Sequence, residues 1–192
     1  MSTTSESPWS GDVRLGREAW VGSTPPDPQL PAEADPESVA RTILLDQLTG
    51  RARSRKELAD KLASKNVPGE IAVRLLDRFE EVGLVDDASF ARMWAEGRQS
   101  GKKLARRAIA QELRRKGVDD EVAKEALDEL DPDAEEQAAR DLVQRKLRSM
   151  SRLDDVVKTR RLLGMLARKG YPSGLAMSVI REALGGSLDS DA

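Results

Sequence analysis

A phrase of 24 residues recurs three times in the chain, and this repetition constrains the fold more than any other feature of the sequence. The three copies read KELADKLASKNVPGEIAVRLLDRF at 56–79, RAIAQELRRKGVDDEVAKEALDEL at 107–130 and RRLLGMLARKGYPSGLAMSVIREA at 160–183. Successive copies are offset by 51 and 53 residues, and apolar residues fall in the same columns. A fixed period of this length indicates a tandem array of small structural units.

The apolar spacing inside each copy predicts two helices joined by a tight turn. In the first copy, Leu58 and Leu62 lie four residues apart, and Ile71, Leu75 and Phe79 form a second stripe of helical period. Ser54 and Glu57 supply a capping box for the first of these helices. The turn carries the residue types that most readily adopt the left-handed conformation, namely Asn66, Gly117 and Gly170.

A further amphipathic segment precedes each pair, at about 38–49, 87–99 and 133–149. The sequence therefore predicts an all-α protein of three tandem three-helix repeats, at 38–86, 87–131 and 132–185. Units of about 50 residues bury little apolar surface by themselves. We therefore expect neighbouring repeats to share a core and the array to be elongated.

Both ends of the chain differ from the repeats in composition. Residues 1–37 hold six of the nine prolines, with seven acidic and two basic residues, and show no apolar period. Such a segment cannot bury enough apolar surface to offset its ordering entropy, so we predict a disordered tail over 1–37 and another over 186–192. Trp9 and Trp20 stand either as stray aromatic residues or as a short docking motif that folds on binding.

The composition excludes several classes of enzyme. The chain has no His and no Cys, which removes His/Cys zinc sites, iron–sulfur clusters, thiol nucleophiles and triads with an imidazole base. No phosphate-binding glycine loop and no carboxylate metal motif is present. The acidic pairs at 86–87, 119–120 and 154–155 stand where helices begin, which capping explains. We expect no catalysis and no cofactor, with a Ser–Lys pair as the one remaining catalytic alternative.

No segment of the sequence is apolar for the 18 or so residues that a membrane span requires. The first residues, MSTTSESPWSGD, lack the basic and apolar regions of a secretory signal. We therefore expect a cytoplasmic protein with no membrane partner, and a monomer.

Charge is segregated along the chain even though its net value is only −2. Residues 98–116 carry eight basic residues and one acidic residue, residues 119–136 carry one basic and ten acidic, and residues 137–172 carry ten basic and three acidic. In the second repeat, cations recur at spacings of three, four and seven, which predicts one basic side on a helix. The candidate contact residues there are Lys102, Lys103, Arg106, Arg107, Arg114, Arg115 and Lys116. A second candidate patch comprises Arg145, Lys146, Arg148, Arg160, Arg161, Arg168 and Lys169.

Two interpretations of the basic stripe stay open. The cations either form a solvated face paired with the acidic helix downstream, or they meet a partner of negative potential. Like charges four residues apart destabilise the helix that carries them, and this local cost favours a partner. Few aromatic residues are available for stacking on bases, and the pI is near 5.5, so alternating charge blocks suit a protein surface better than free nucleic acid.

Three phrases of the chain resemble the RecX regulatory proteins. Residues 83–91, GLVDDASFA, resemble a phrase of that family. Residues 106–118, RRAIAQELRRKGV, are similar to its second-repeat signature, and 161–171 to its third. The resemblance covers about 39–185 and leaves the N-terminal tail outside, as in the extended actinobacterial members of the family.

This resemblance implies a curved array of three-helix repeats that binds the RecA recombinase. Such proteins lie in the groove of the RecA filament on single-stranded DNA and inhibit strand exchange and ATP hydrolysis, without being enzymes. The family phrases carry over no contact residue. Two alternatives remain, namely an autonomous nucleic-acid-binding array of helix-turn-helix-like units and a scaffold that binds another protein through its acidic 119–136 segment.

Overall fold

The computed structural model describes residues 35–185, and every regular element within that range is an α-helix, as the sequence predicts. The helices are α1 (Pro36–Gly50), α2 (Arg55–Ala63), α3 (Gly69–Glu81), α4 (Asp87–Lys102), α5 (Arg106–Arg115), α6 (Asp120–Asp128), α7 (Pro132–Arg148), α8 (Asp155–Arg168) and α9 (Ser173–Gly185). Helix α1 begins at Pro36, so the last residues assigned to the N-terminal tail are helical. Residues 1–34 of that tail, including Trp9 and Trp20, and the predicted tail at 186–192 lie outside the described residues.

Short polar side chains start the helices where the sequence predicts. The Ser54 hydroxyl accepts a hydrogen bond from the Glu57 amide, and the Glu57 carboxylate accepts one from the Ser54 amide, which completes the capping box of α2. The first residue of each acidic pair caps its helix in the same way, at Asp86, Asp119 and Asp154. These carboxylates therefore stabilise the starts of their helices.

The three middle helices α2, α5 and α8 end in one repeated backbone motif. Each is followed by a residue of positive φ, at 56° in Asn66, 77° in Gly117 and 88° in Gly170. The next amide bonds back five residues to the helix, as Val67 does to the Leu62 carbonyl at 3.2 Å. This pattern is a Schellman motif, which turns the chain sharply toward the third helix of the repeat.

Each repeat has a hydrophobic core of its own. Leu58, Leu62 and Leu76 lie at the centre of the first core, Ile109 and Leu113 of the second, and Leu162 and Leu166 of the third. The expected sharing of a core is limited to Ala105, which precedes α5 and is buried in the core of the third repeat. Adjacent repeats meet mainly through polar and backbone contacts.

The first junction joins the start of α2 to the end of α5. The buried Ser54 hydroxyl donates to the Lys116 carbonyl at 2.7 Å. Gly117 packs so closely against Lys56 that an added Cβ would lie 2.4 Å from the Lys56 Cδ atom. Replacing Gly117 with any other residue would therefore force the two repeats apart.

The second junction joins the start of α5 to the end of α8, in the same relative positions. Ala105, which aligns with Ser54, donates its amide to the Lys169 carbonyl at 3.0 Å. The Tyr171 hydroxyl donates to the Lys103 carbonyl at 3.1 Å, and burial, followed by the nearby carboxylates, raises the pKa of Tyr171 to about 12. The hydroxyl is therefore protonated and able to donate at neutral pH. In both junctions the residue before a middle helix donates a hydrogen bond to the carbonyl of the aligned lysine at the end of the next middle helix. The donor is a side-chain hydroxyl at Ser54 and a backbone amide at Ala105.

Candidate functional site

The cations predicted to contact a partner divide into some that are held within the protein and others that are exposed. Lys116 belongs to the first group. Its Nζ atom lies 2.7 Å from Glu57 Oε1 of the first repeat and 4.0 Å from the centre of the Trp94 ring. Only 17% of the Lys116 side chain is exposed. Lys116 therefore braces the first junction.

Lys103 and Arg106 are also occupied by contacts within the protein. Lys103 Nζ lies 3.0 Å from Asp141 of α7. The Arg106 guanidinium donates to the Leu130 carbonyl and lies 3.6 Å from Glu135 of α7. Both cations thus connect the second repeat to the first helix of the third.

The predicted single basic side of one helix is wrong. Lys102 is the last residue of α4, Lys103 follows it in the left-handed conformation with φ 49°, and Arg106 begins α5. A left-handed residue changes the direction of the chain, so spacing counted across it does not map onto one side of a helix. The basic residues at 102–116 instead lie on two helices, in the turn between them and, for Lys116, directly after α5.

Three arginines of α5 are exposed to solvent, namely Arg107, Arg114 and Arg115. Arg114 pairs with Asp120 at 3.0 Å, but both side chains are more than two-thirds exposed, so this pair contributes little to stability. Arg107 and Arg115 form no ion pair with any residue in the described part of the chain. They remain available to a partner.

The third repeat contains a cleft of about 500 Å³ that is lined mainly by cations. Lys146 of α7 and Arg160, Arg161 and Arg168 of α8 line it, together with Gly164 and Met165. All four cations are exposed, and none forms an ion pair with a described carboxylate. The sequence predicts these residues as a patch, and the structure shows that they converge on one cleft.

A second cleft of about 580 Å³ adjoins the first, between α5 and α8 at the junction of the second and third repeats. The two clefts share Gly164 and Arg168, and the second adds Arg107. We call the two clefts together the basic groove, whose cations are Arg107, Lys146, Arg160, Arg161 and Arg168. No carboxylate occurs among the described residues that line it.

Other clefts of the described residues are electrically mixed. The cleft between α1 and α3 is lined by three arginines but also by Glu37, Glu70, Asp77 and Glu81. The cleft along α5 and α6 holds Asp120, Glu121 and Asp128 beside its cations. The basic groove therefore has the strongest unbalanced positive charge of these surfaces, which makes it the candidate site for an anionic ligand.

The remaining predicted cations surround the end of α8. Lys169 Nζ donates to the Lys102 carbonyl at 2.7 Å, and burial, together with the nearby Arg145 and Lys102 charges, holds the pKa of Lys169 below its ordinary value. Arg145 donates to the Asp141 carbonyl at 3.4 Å, and Arg148 is exposed. Positive potential thus extends from the basic groove to this side of the third repeat.

Sequence reasoning missed the part that Gly164 plays in this site. Gly164 lies inside α8, where glycine costs about 0.5–1 kcal/mol relative to alanine. A Cβ at this position would lie 3.5 Å from Arg168 Nη1, at the point where the two clefts meet. The aligned positions in the other two repeats hold Asp60 and Gln111. A glycine in the middle of a helix, where the other copies have longer polar side chains, was the sequence signal that could have identified this position.

Residues 35–185 hold no group of three or more acidic side chains placed to bind a metal ion. Within the same range, no helix has the length and apolar character needed to cross a bilayer. The chemistry that the described site offers is recognition of negative charge by guanidinium and ammonium groups.

Comparison with known protein families gives three consecutive matches. The first three-helix domain of RecX matches residues 40–79, the second matches 86–127 and the third matches 133–180. The matches follow the chain in order, and each extends over the three helices of one repeat.

Individual proteins show the same likeness. The chain is 52% identical over 150 residues to the "Regulatory protein RecX" of Streptomyces lividans, covering 78% of this chain and 80% of that protein. It is 48% identical over 157 residues to the protein of the same name in Amycolatopsis mediterranei, covering 80% and 90%. The crystal structure of RecX from Lactobacillus salivarius superposes with a TM-score of 0.70 at 22% identity, over 78% of this chain and 97% of that one, and shows the same fold.

Proposed function

The chain belongs to the RecX family, and we propose that it regulates the RecA recombinase in the cytoplasm. The observation that carries this proposal is the ordered match to all three RecX domains, together with 52% identity to a protein named as regulatory. By the family resemblance, the protein binds the RecA filament on single-stranded DNA. Binding inhibits strand exchange and the associated ATP hydrolysis.

The proposed mechanism is binding without catalysis. The sequence has no His or Cys, and the acidic pairs that resemble catalytic carboxylates cap helices instead. Regulation then depends on the position at which the protein binds the filament and on the molecules that it sterically excludes from that position.

We assign the filament contacts to the exposed cations. Arg107, Arg114 and Arg115 extend from the second repeat, and the third repeat contributes its exposed cations Lys146, Arg148, Arg160, Arg161 and Arg168. Contacts on two repeats can engage successive positions of a polymer, and weak individual contacts then add through effective concentration. Lys103, Arg106 and Lys116 support this arrangement from within the protein.

The test measures ATP hydrolysis by RecA on single-stranded DNA as this protein is added. We expect hydrolysis to fall when the protein is present at less than one copy per RecA subunit. Undiminished hydrolysis at equimolar protein contradicts the proposal.

A charge-reversed variant locates the contact. Arg107→Glu, Arg114→Glu and Arg115→Glu are combined, while Arg106 is kept because it holds the Leu130 carbonyl. The matched control reverses three exposed cations elsewhere, namely Lys65, Arg78 and Arg181. We expect the first variant to lose inhibition and the control to retain it, with equal helicity by circular dichroism. Equal inhibition by both removes α5 from the interface.

The second candidate function is autonomous binding of nucleic acid, and the acid-free basic groove is the observation that favours it. In that case the protein binds naked DNA tightly at physiological salt and leaves RecA hydrolysis unchanged. The hydrolysis assay therefore separates the two functions.

A further inference from the structure

The starts of the first two middle helices are bonded to the repeat that follows them. The amide of Arg55, the first residue of α2, donates to Asp87 Oδ1 at 2.8 Å. The amide of Arg106, the first residue of α5, donates to Glu135 Oε2 at 3.4 Å. Asp87 begins α4 and Glu135 lies in the first turn of α7, so each carboxylate belongs to the first helix of the next repeat. Each carboxylate satisfies an amide that has no partner within its own helix.

Helix α5 depends on this contact more than α2 does. Ser54 gives α2 a side-chain cap, whereas Ala105 gives none to α5. The amides of Ala105 and Arg106 donate instead to the Lys169 carbonyl and to Glu135, and both acceptors lie in the third repeat. The third repeat therefore completes the start of α5, and the positions of the two depend on each other.

The arginine whose amide is held in this way also ties its guanidinium to its own repeat. Arg55 donates to Asp77 of α3 at 2.6 Å, and Arg106 donates to the Leu130 carbonyl just after α6. These two arginines are aligned in the repeat, and the aligned position of the third repeat holds Thr159, inside α8. Each arginine thus joins the middle and third helices of its own repeat to the first helix of the next.

Glu135 is shielded from water and contacts Arg106 twice. Only 12% of the Glu135 side chain is exposed. The carboxylate lies 3.6 Å from Arg106 Nε in addition to accepting the Arg106 amide. Hydrogen bonds to a charged acceptor are stronger than neutral ones, and water has little access to replace them here. Loss of the carboxylate would therefore leave a shielded donor of α5 without a partner.

The second and third repeats carry all the cations that we assign to the RecA filament. Contacts on two bodies strengthen each other only when the geometry lets both engage at once. A fixed arrangement also avoids the cost of ordering the two bodies during binding. None of the assigned cations lies in the first repeat, so the junction between the first and second repeats should matter less for binding.

We propose that Glu135 is a positioning residue, which fixes the second and third repeats in the relative arrangement that lets both engage the filament at once. Asp87 makes the equivalent contact at the first junction, where no assigned filament contact depends on it. The effect on inhibition rests on the proposed function, whereas the effect on the junction can be measured without RecA.

Distances between spin labels test the junction in the absence of RecA. The chain has no cysteine, so pairs of cysteines introduced at exposed, aligned positions take the labels selectively. Lys124→Cys with Met177→Cys spans the second junction, and Val73→Cys with Lys124→Cys spans the first. Glu135→Ala should broaden the distance distribution across the second junction only, and Asp87→Ala that across the first only. An unchanged distribution in Glu135→Ala overturns the proposal.

Inhibition of ATP hydrolysis by RecA tests the consequence. Glu135→Ala should raise the protein concentration needed for half-inhibition by about tenfold or more, because the two sets of contacts no longer bind as a unit. Asp87→Ala is the matched control, since it removes the same kind of contact at a junction that the assigned cations do not span, and its midpoint should stay nearly unchanged. Glu135→Gln keeps an oxygen that can accept the Arg106 amide, so it should inhibit like the original protein.

These variants separate positioning from a merely structural role. Glu135 and Asp87 lie outside the three hydrophobic cores, so both alanine variants should stay folded, which circular dichroism checks. If Glu135→Ala fails to fold, Glu135→Asp carries the same expectation, because it keeps the charge but is one methylene shorter. Equal loss of inhibition at the two junctions, or a loss that Glu135→Gln does not restore, overturns the proposal. Absence of inhibition by the original protein contradicts the proposed function instead, and the label distances then still decide whether Glu135 positions the repeats.

Discussion

Lys116 shows how one aligned residue takes different roles along the chain. Lys65, Lys116 and Lys169 occupy the same position in the three repeats. Lys65 is exposed, Lys116 pairs with Glu57, and Lys169 donates to a backbone carbonyl. The difference arises from what the neighbouring repeat brings close, so residue type and repeat position alone do not determine the role of a cation.

The Lys116–Glu57 pair predicts a dependence of stability on pH. Although burial acts to raise it, the hydrogen bonds from Lys116 and from the Ser54 amide hold the pKa of Glu57 below its ordinary value of 4.5. A lowered pKa means that ionised Glu57 stabilises the fold above about pH 4.5, and this stabilisation is lost as the pH falls through the lowered pKa. In thermal melts from pH 7 to pH 3, Glu57→Gln should melt below the original protein at neutral pH, and the gap should close in acid. A constant gap contradicts this.

Leu113 tests whether the apolar column of the repeat forms a core. It is fully buried at the centre of the second repeat. Leu113→Ala should lower the free energy of unfolding by about 2–5 kcal/mol, because it removes a buried side chain and leaves a cavity. Urea denaturation measures the change. Leu84→Ala, at a half-exposed position, is the control and should change stability far less.

At the scale of the element, the ends of the helices carry the most specific information. Gly83 and Gly170 both follow a helix with positive φ, at 72° and 88°. Their surroundings differ, because an added Cβ meets nothing within 4 Å at Gly83 but lies 2.7 Å from the Ala108 amide nitrogen at Gly170. One glycine is required only by its backbone conformation, and the other also by the approach of the preceding repeat.

This contrast gives a paired prediction. Gly83→Ala should cost about 1–2 kcal/mol, the strain of a left-handed alanine. Gly170→Ala should cost a further 1–3 kcal/mol or so, because its methyl group clashes with α5 across the second junction. Chemical denaturation of both variants measures the difference. Equal costs would mean that the repeats separate readily enough to admit a methyl group.

Most helix starts and ends could be predicted from the sequence, because the interactions that fix them are local. The capping box at Ser54 and the left-handed turns at Gly117 and Gly170 depend on residues within a few positions of one another. The junctions could not be predicted, since the Ser54 hydroxyl and the Lys116 carbonyl are 62 positions apart. The same holds for the basic groove, whose existence depends on how α7 and α5 pack beside α8. The prediction of one basic side on a helix was wrong because the turn at 103–105, which begins with the left-handed residue Lys103, separates two helices.

For the molecule as a whole, three separate cores and two similar junctions determine how local unfolding of one repeat affects the others. Each junction places the beginning of one middle helix against the end of the next, so the second repeat is held on both sides and the others on one. In such arrays, stability is approximately the sum of the repeat terms and the terms for neighbouring interfaces. Local opening should therefore pass to adjacent repeats and weaken beyond them.

Ser54→Ala tests this spread. It removes the cap of α2 and leaves the Lys116 carbonyl without its donor, for a cost of about 2–4 kcal/mol. In hydrogen exchange followed by mass spectrometry, protection should fall in the first and second repeats and persist in the third. A uniform fall over residues 36–185 would show that the chain unfolds as one unit.

Trp94 gives the first junction an intrinsic optical probe. Its ring stacks on Phe90, with the Arg98 guanidinium 3.9 Å and the Lys116 ammonium 4.0 Å from its centre. The same ammonium donates to Glu57 of the neighbouring repeat at 2.7 Å, so a shift of that repeat changes the charges around the ring. Indole emission responds to charges so near, so a protein with Trp9 and Trp20 replaced by phenylalanine would report, without any dye, each time its first two repeats shift relative to each other.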